Sequence, residues 1–285
     1  MSYFYLLASA ACSLILVHLM KEGEHRKLRM LNTFTINYLV AAIVAFGLGG
    51  FPSFSIEATG FTNPAFIFAA VTGAVFIGNF LVYSKSIHLN GMGVSVAAMR
   101  LSLLLPVLLS VWLYGERVTT NKLLGLLSVF TALGLLIPKK QNIRFRKIDA
   151  AWLLLIIFLL TGLADSSLKI YEEDFSMQFS ELSFMGLVFS CAFIIGLICS
   201  MFGQGNLVTR REVFMGCLIG IPNLYSAVFL IYALREIDGS VAYPIVNILN
   251  VVGGTLIGLW IWGDRVSKLQ WLGITVAVAA ILLLV

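Results

Sequence analysis

Ten apolar runs, each 18 to 24 residues long, follow one another along this chain with only short polar breaks between them. A helix needs ~20 predominantly apolar residues to cross the hydrocarbon core of a bilayer, or about 17 to 25 with tilt. Barrel strands would show ~10-residue segments of alternating polarity instead. The runs therefore predict helices near residues 3–20, 31–49, 64–84, 91–113, 120–137, 150–169, 181–202, 211–233, 239–262 and 267–285. They consume most of the 285 residues and leave no room for an aqueous domain. Ser267 and Gln270 have capping-box spacing, which supports a helix start there.

Composition agrees. Only 12% of residues are charged, roughly half the share in soluble domains, and the mean hydropathy is +0.97. A soluble enzyme, a nucleic-acid-binding module and a disordered protein are excluded. The four cysteines lie within apolar runs at no metal-binding spacing, so neither a disulfide framework nor a metal site is expected. No cofactor motif is present, and the lack of a Walker A pattern excludes direct drive by ATP. The N-terminal run lacks the basic flank and cleavage site of a signal peptide and is expected to remain as a helix.

The second half repeats the first. Trp112-Leu-Tyr-Gly-Glu-Arg-Val118 returns as Trp260-Ile-Trp-Gly-Asp-Arg-Val266, an offset of 148 residues that also carries Gly91 onto Gly239 and Leu124-Gly125 onto Leu272-Gly273. Each half holds five spans. An odd number of crossings sends the second copy through the membrane upside down, so the expected fold is an all-α membrane protein of ten transmembrane helices in two inverted five-helix repeats. The expected division is 1–138 for the first repeat, 139–149 for a basic connecting loop and 150–285 for the second repeat.

At these residues the chain resembles the drug/metabolite transporter superfamily, EamA type. Pro106 followed by Gly115-Glu116-Arg117 matches that family's fourth helix and turn, and Gly263-Asp264-Arg265 matches in the second half with Asp for Glu. Gly254 stands where Pro106 has its counterpart, so the second copy is expected to bend differently. The resemblance implies a secondary transporter of amino acids, other small metabolites or drugs, often exported, and not an enzyme. No HExxH, paired-aspartate or nucleophile–base pattern argues for catalysis. Two rivals to the metabolite transporter are a polyspecific multidrug or cation exporter and a non-transporting membrane scaffold. The expected partners are a small-molecule substrate and the lipid bilayer. No nucleic acid is expected, and a homodimer is allowed but not required.

Fourteen of the nineteen Lys and Arg fall in loops after odd-numbered spans. By the positive-inside rule those loops are cytoplasmic and both termini lie outside a plasma or bacterial inner membrane, although relatives often place both termini inside. The net charge of +5 is thus read as orientation.

Arg100 escapes that reading. It lies about 13 Å into the fourth span at 1.5 Å per residue, where a charge costs about 2.5–3.5 kcal/mol on insertion scales. It can serve as a guanidinium clamp for a carboxylate or phosphate, or as a structural ion-pair residue. On the ninth span Tyr243, Asn247, Asn250 and Gly254 share one helix face, and the fourth span offers Ser102 beside Arg100. Cavity lining and interhelical packing both suit such residues. Asn79 and Tyr83 in the third span, and Asn223 and Tyr225 in the eighth, are weaker candidates. Asp165 is a proton-coupling candidate or a helix-end residue reaching water, and Pro106 a helix-bend candidate. No catalytic or metal-binding residue is assigned. Gly216-x-x-x-Gly220 and Gly254-x-x-x-Gly258 permit close helix packing without requiring a dimer.

Overall fold

The computed structural model describes residues 2–51, 63–90, 92–136, 150–202, 208–261, 263 and 266–285, which are helical with short connections and contain no strand. The helices are α1 (Ser2–His25), α2 (Met30–Gly49), α3 (Pro64–Asn90), α4 (Met92–Leu101), α5 (Leu104–Trp112), α6 (Thr120–Leu136), α7 (Ala151–Ile170), α8 (Glu181–Phe202), α9 (Arg210–Leu234), α10 (Gly239–Trp260) and α11 (Lys268–Leu284). Together α4 and α5 make one broken span. Eight spans are long and apolar enough to cross a membrane, and α6 and α11, at 17 residues each, reach the short end of the range. This is a multi-pass membrane protein.

Two elements differ from the sequence expectation. The fourth span breaks at Ser102–Leu103, where Val107 N–H reaches back to Leu103 and Leu105 N–H to Ser102. Pro106 lacks an N–H and its ring crowds the carbonyl of Ser102, so the i→i−4 ladder fails one turn ahead of it. Its counterpart region in α10 runs unbroken through Gly254. The sixth span does not stop at 169. After α7 the chain makes a π-helical turn, Tyr171–Phe175, in a segment expected to be a loop. Apolar packing overrides its polar sequence there: Tyr171 is buried, stacks on Phe184 with centroids 4.1 Å apart, and donates to the Phe179 carbonyl at 2.6 Å.

The packing has the symmetry of an inverted repeat. With α1 equivalent to α7, α2 to α8, α3 to α9, α4–α5 to α10 and α6 to α11, three contacts join an element to its own counterpart: α2 with α8, α5 with α10, and α6 with α11. Others come in exchanged pairs. α1 packs on α9 as α7 packs on α3, α2 on α9 as α8 on α3, and α1 on α10 as α7 on α4 and α5. Side chains follow the same 148-residue offset. Gly125 faces Leu284 as Gly273 faces Leu136, so a side chain at either glycine would strike the opposing leucine.

Local punctuation repeats too. Gly115 and Gly263 turn at φ 66° and 67°, in the left-handed region open to glycine. Thr119 accepts from Lys122 N–H ahead of α6 at 3.3 Å, as Ser267 accepts from Gln270 N–H ahead of α11. The Ser267–Gln270 capping box is formed. Asp264 and Arg265 of the second turn, and the 139–149 connection, lie outside the described residues.

The Gly216–Gly220 pair is used inside the chain. Both glycines lie against α2, Gly216 over Ile36 and the Thr33 carbonyl, Gly220 over Val40 and the Asn37 carbonyl. Asn223 adds a hydrogen bond to Asn37 Oδ1 at 3.2 Å on the same seam.

Candidate functional site

The broken fourth span and α10 face one another, and the break positions the site. Arg100 lies in the last turn of the first helical piece. Its Nη1 donates to Asn247 Oδ1 across the interface at 3.3 Å, and its Nε is buried without a hydrogen-bond partner among the described residues. Asn247 turns its own Nδ2 to the Tyr243 carbonyl at 3.2 Å, which fixes its oxygen toward the guanidinium. One turn along, Asn250 Oδ1 is buried with no hydrogen-bond partner among the described residues. A buried donor and a buried acceptor left open on helices of the two halves are expensive in a low dielectric.

Asp165 lies within electrostatic reach of Arg100, but no oxygen of it forms an ion pair with that guanidinium. Among the described residues its carboxylate accepts no hydrogen bond, while its main-chain carbonyl receives the Tyr243 hydroxyl at 2.8 Å. The helix continues beyond Asp165 to Ile170, so this carboxylate stands inside the span. Tyr83 is also within electrostatic reach of Arg100. Arg100, Tyr83, Asp165, Tyr243 and Asn247 thus converge, with Asn250 one turn along α10.

Two expected residues point elsewhere in their bonding. The buried Ser102 hydroxyl is spent on the Met99 carbonyl at 2.6 Å, beside the helix break. Asn79 accepts from Thr161 at 3.0 Å, joining α3 to α7.

Beyond the site, toward the end bearing the Gly115 turn, the chain builds a seal that sequence reading missed. Glu116 caps α10, accepting from Gly239 N–H at 2.7 Å and Ser240 N–H at 2.9 Å. Glu116 also lies 3.4 Å from Lys169, whose side chain is 4% exposed and pairs further with Glu173 at 2.6 Å and Glu172 at 3.9 Å. Tyr114 donates to Asp174 at 2.8 Å, and burial together with that bond pushes its phenol well above its ordinary range. Lys122 pairs with Asp238. Apart from the local pairs of Lys169 with Glu172 and Glu173, each of these links joins the first half to the second. The signal in the sequence was the acid of the repeated Gly-acid-Arg turn, but its target is remote in the chain.

The opposite end is organised otherwise. Arg29 grips Glu212 through Nε at 2.8 Å and Nη2 at 3.0 Å, Asn32 adds a third donor, and Thr209 completes a capping box with the buried Glu212. Between α1 and α10 a crevice is lined by Leu14, Val17, His18, Lys21, Gly254 and Ile257.

Residues 148–285 match the EamA-like transporter family. The second half of this chain is a member of that family. The EamA-like half carries α7 to α11, and thus Asp165, Lys169, Tyr243, Asn247 and Asn250. An uncharacterised protein of Haemophilus influenzae is 24% identical over 288 positions, covering 97% of this chain and 95% of that one. A solved crystal structure has the same fold, with TM-score 0.78 at 12% identity over 99% of this chain and 95% of the other. The fold shared with that structure thus spans both halves of the chain. The EamA-like family is one of membrane transporters and not of enzymes, and the match supports a role in transport.

Proposed function

We propose that the protein is a secondary active transporter of small carboxylate-bearing metabolites, amino acids among them, that works by alternating access in a plasma or bacterial inner membrane. The observation that carries this reading is Arg100, a guanidinium held in mid-span on Asn247 with its Nε open. A carboxylate meets a guanidinium through paired, charge-assisted N–H bonds that are about twice as strong as neutral ones. Asp165, whose carboxylate is within electrostatic reach of Arg100 and accepts no hydrogen bond among the described residues, suits the ammonium group of a zwitterion or a coupling proton. Export is the direction implied by the family resemblance.

The two ends support alternation. One is sealed by Glu116 and Lys169, while the equivalent α1–α10 seam at the other end bears a crevice. Crevice residues Leu14, Lys21 and Gly254 stand 148 positions from Gly162, Lys169 and Pro106 of the sealed seam. Leu105 fills the space at Gly162 in one seam, and Leu14 the space at Gly253 in the other, so bulk and gap exchange sides under the offset. Opening the Glu116–Lys169 end while closing the crevice would expose the same site to the other side.

Purified protein in proteoliposomes, offered a panel of labelled amino acids, organic anions, sugars and organic cations, tests the reading. Flux of one or more carboxylate-bearing solutes, lost in Arg100→Ala protein that still purifies monodisperse, is the expected result. Flux of unrelated organic cations that is indifferent to Arg100→Ala would establish the multidrug exporter instead.

A further inference from the structure

Away from the transport site, the basic end of the molecule carries a second concave surface. Arg26, Leu28, Arg210, Arg211, Phe214 and Met215 line an open pocket where the α1–α2 connection meets the start of α9. Arg26 is engaged with Glu22 at 2.6 Å, but no carboxylate among the described residues stands within ion-pair distance of Arg210 or Arg211. Both arginines are exposed on the rim, and the carboxylate of the buried Glu212 beside them already accepts from Arg29, Asn32 and the Thr209 N–H.

The floor of the pocket is apolar and leads into the membrane. Phe214 is 63% exposed, and Leu218 and Ile221 are exposed four and seven residues further on, one stripe of a helix whose opposite face is packed on α1 and α2. Charge at the headgroup level above an apolar stripe matches an amphipathic anion. A free phosphate ion would use the arginines and leave the stripe unused.

We propose that this pocket binds one anionic phospholipid. Its phosphate sits between the guanidinium groups of Arg210 and Arg211, whose planar forks suit phosphate oxygens, and one acyl chain lies along Phe214, Leu218 and Ile221. The site is independent of the transport reading and stands whether or not Arg100 binds substrate.

The test compares full-length protein in detergent with phosphatidylglycerol, with phosphatidylcholine of the same acyl chains, and with inorganic phosphate. Phosphatidylglycerol should raise Tm by about 2–4 °C through binding to the folded state alone, and native mass spectrometry should show one retained molecule. Arg210→Gln/Arg211→Gln protein, with its lipid-free Tm unchanged, should lose most of that shift and the retained lipid. Should the double variant purify poorly, Arg211→Gln and Phe214→Ala singly should each weaken retention. Equal stabilisation by phosphatidylcholine, an undiminished shift in the variants, or the full shift from inorganic phosphate alone would each overturn the proposal.

Discussion

Arg100 donates a hydrogen bond to Asn247 across the interface between the broken fourth span and α10, 3.3 Å from Nη1 to Oδ1. These helices are equivalent in the two repeats, yet the residues are not exchanged copies: Asn247 is the counterpart of Met99. An inverted repeat supplies a symmetric frame, and the site breaks that symmetry with one cation. The break at Ser102–Leu103, one turn ahead of Pro106, ends the helical piece carrying that cation. The uninterrupted α10 presents Asn247 opposite, with Asn250 one turn along.

The Glu116–Lys169 link should govern the balance between the two open states. Glu116→Gln keeps one acceptor oxygen for the α10 N–H groups, turns an amide NH2 toward the other and removes the charge facing Lys169. A hydrogen bond to a charged group is worth about 1.5–3 kcal/mol, so the sealed end should be weakened by a similar amount, moderated by Glu172 and Glu173. A cysteine at Ser110, in protein freed of its native cysteines, should react faster with a water-soluble maleimide in the Glu116→Gln background. Equal labelling rates would show that the link is structural only.

Gly216 should be intolerant of bulk for reasons internal to one chain. Gly216→Val places a branched side chain against Ile36 and the Thr33 carbonyl, and overpacking of this kind costs about 1–3 kcal/mol. Thermal unfolding should show a lower Tm, while light scattering shows an unchanged oligomeric state. A change of oligomeric state with Tm preserved would assign the GxxxG face to a dimer.

Much of the frame could be read in the residues. Ten apolar runs, the offset of 148 and the Ser267–Gln270 cap are local or periodic features, and each has a physical signature that survives without coordinates. Tyr171–Phe175 did not read as helix, because three consecutive acids outweigh two aromatics in any local account, whereas the stacking of Tyr171 on Phe184 is a tertiary effect. At the site, Arg100, Asn247 and Tyr243 were visible as polar residues in apolar runs. Glu116 and Lys169 were not, since a charged residue at a span end is ordinary until the helix it caps is known. Glu212 was likewise missed, although Thr209-x-x-Glu212 has capping-box spacing.

The distribution of Lys and Arg makes a separate prediction about orientation. Reporter fusions active only in the cytoplasm should be silent at both termini, with the connection at 139–149 on the cytoplasmic side. Two active terminal fusions would invert the assignment and place the Glu116–Lys169 seal toward the cytoplasm.

The most direct measurement asks whether Arg100 reads a carboxylate. In proteoliposomes, flux of a transported amino acid is compared with flux of its carboxamide analogue, for wild-type protein and for Arg100→Gln. A buried charge-assisted pair predicts a preference for the carboxylate of about 10- to 100-fold in wild type, falling to near unity in the variant. A preference of the same size in both proteins would contradict the account, because the carboxylate would then be recognised elsewhere.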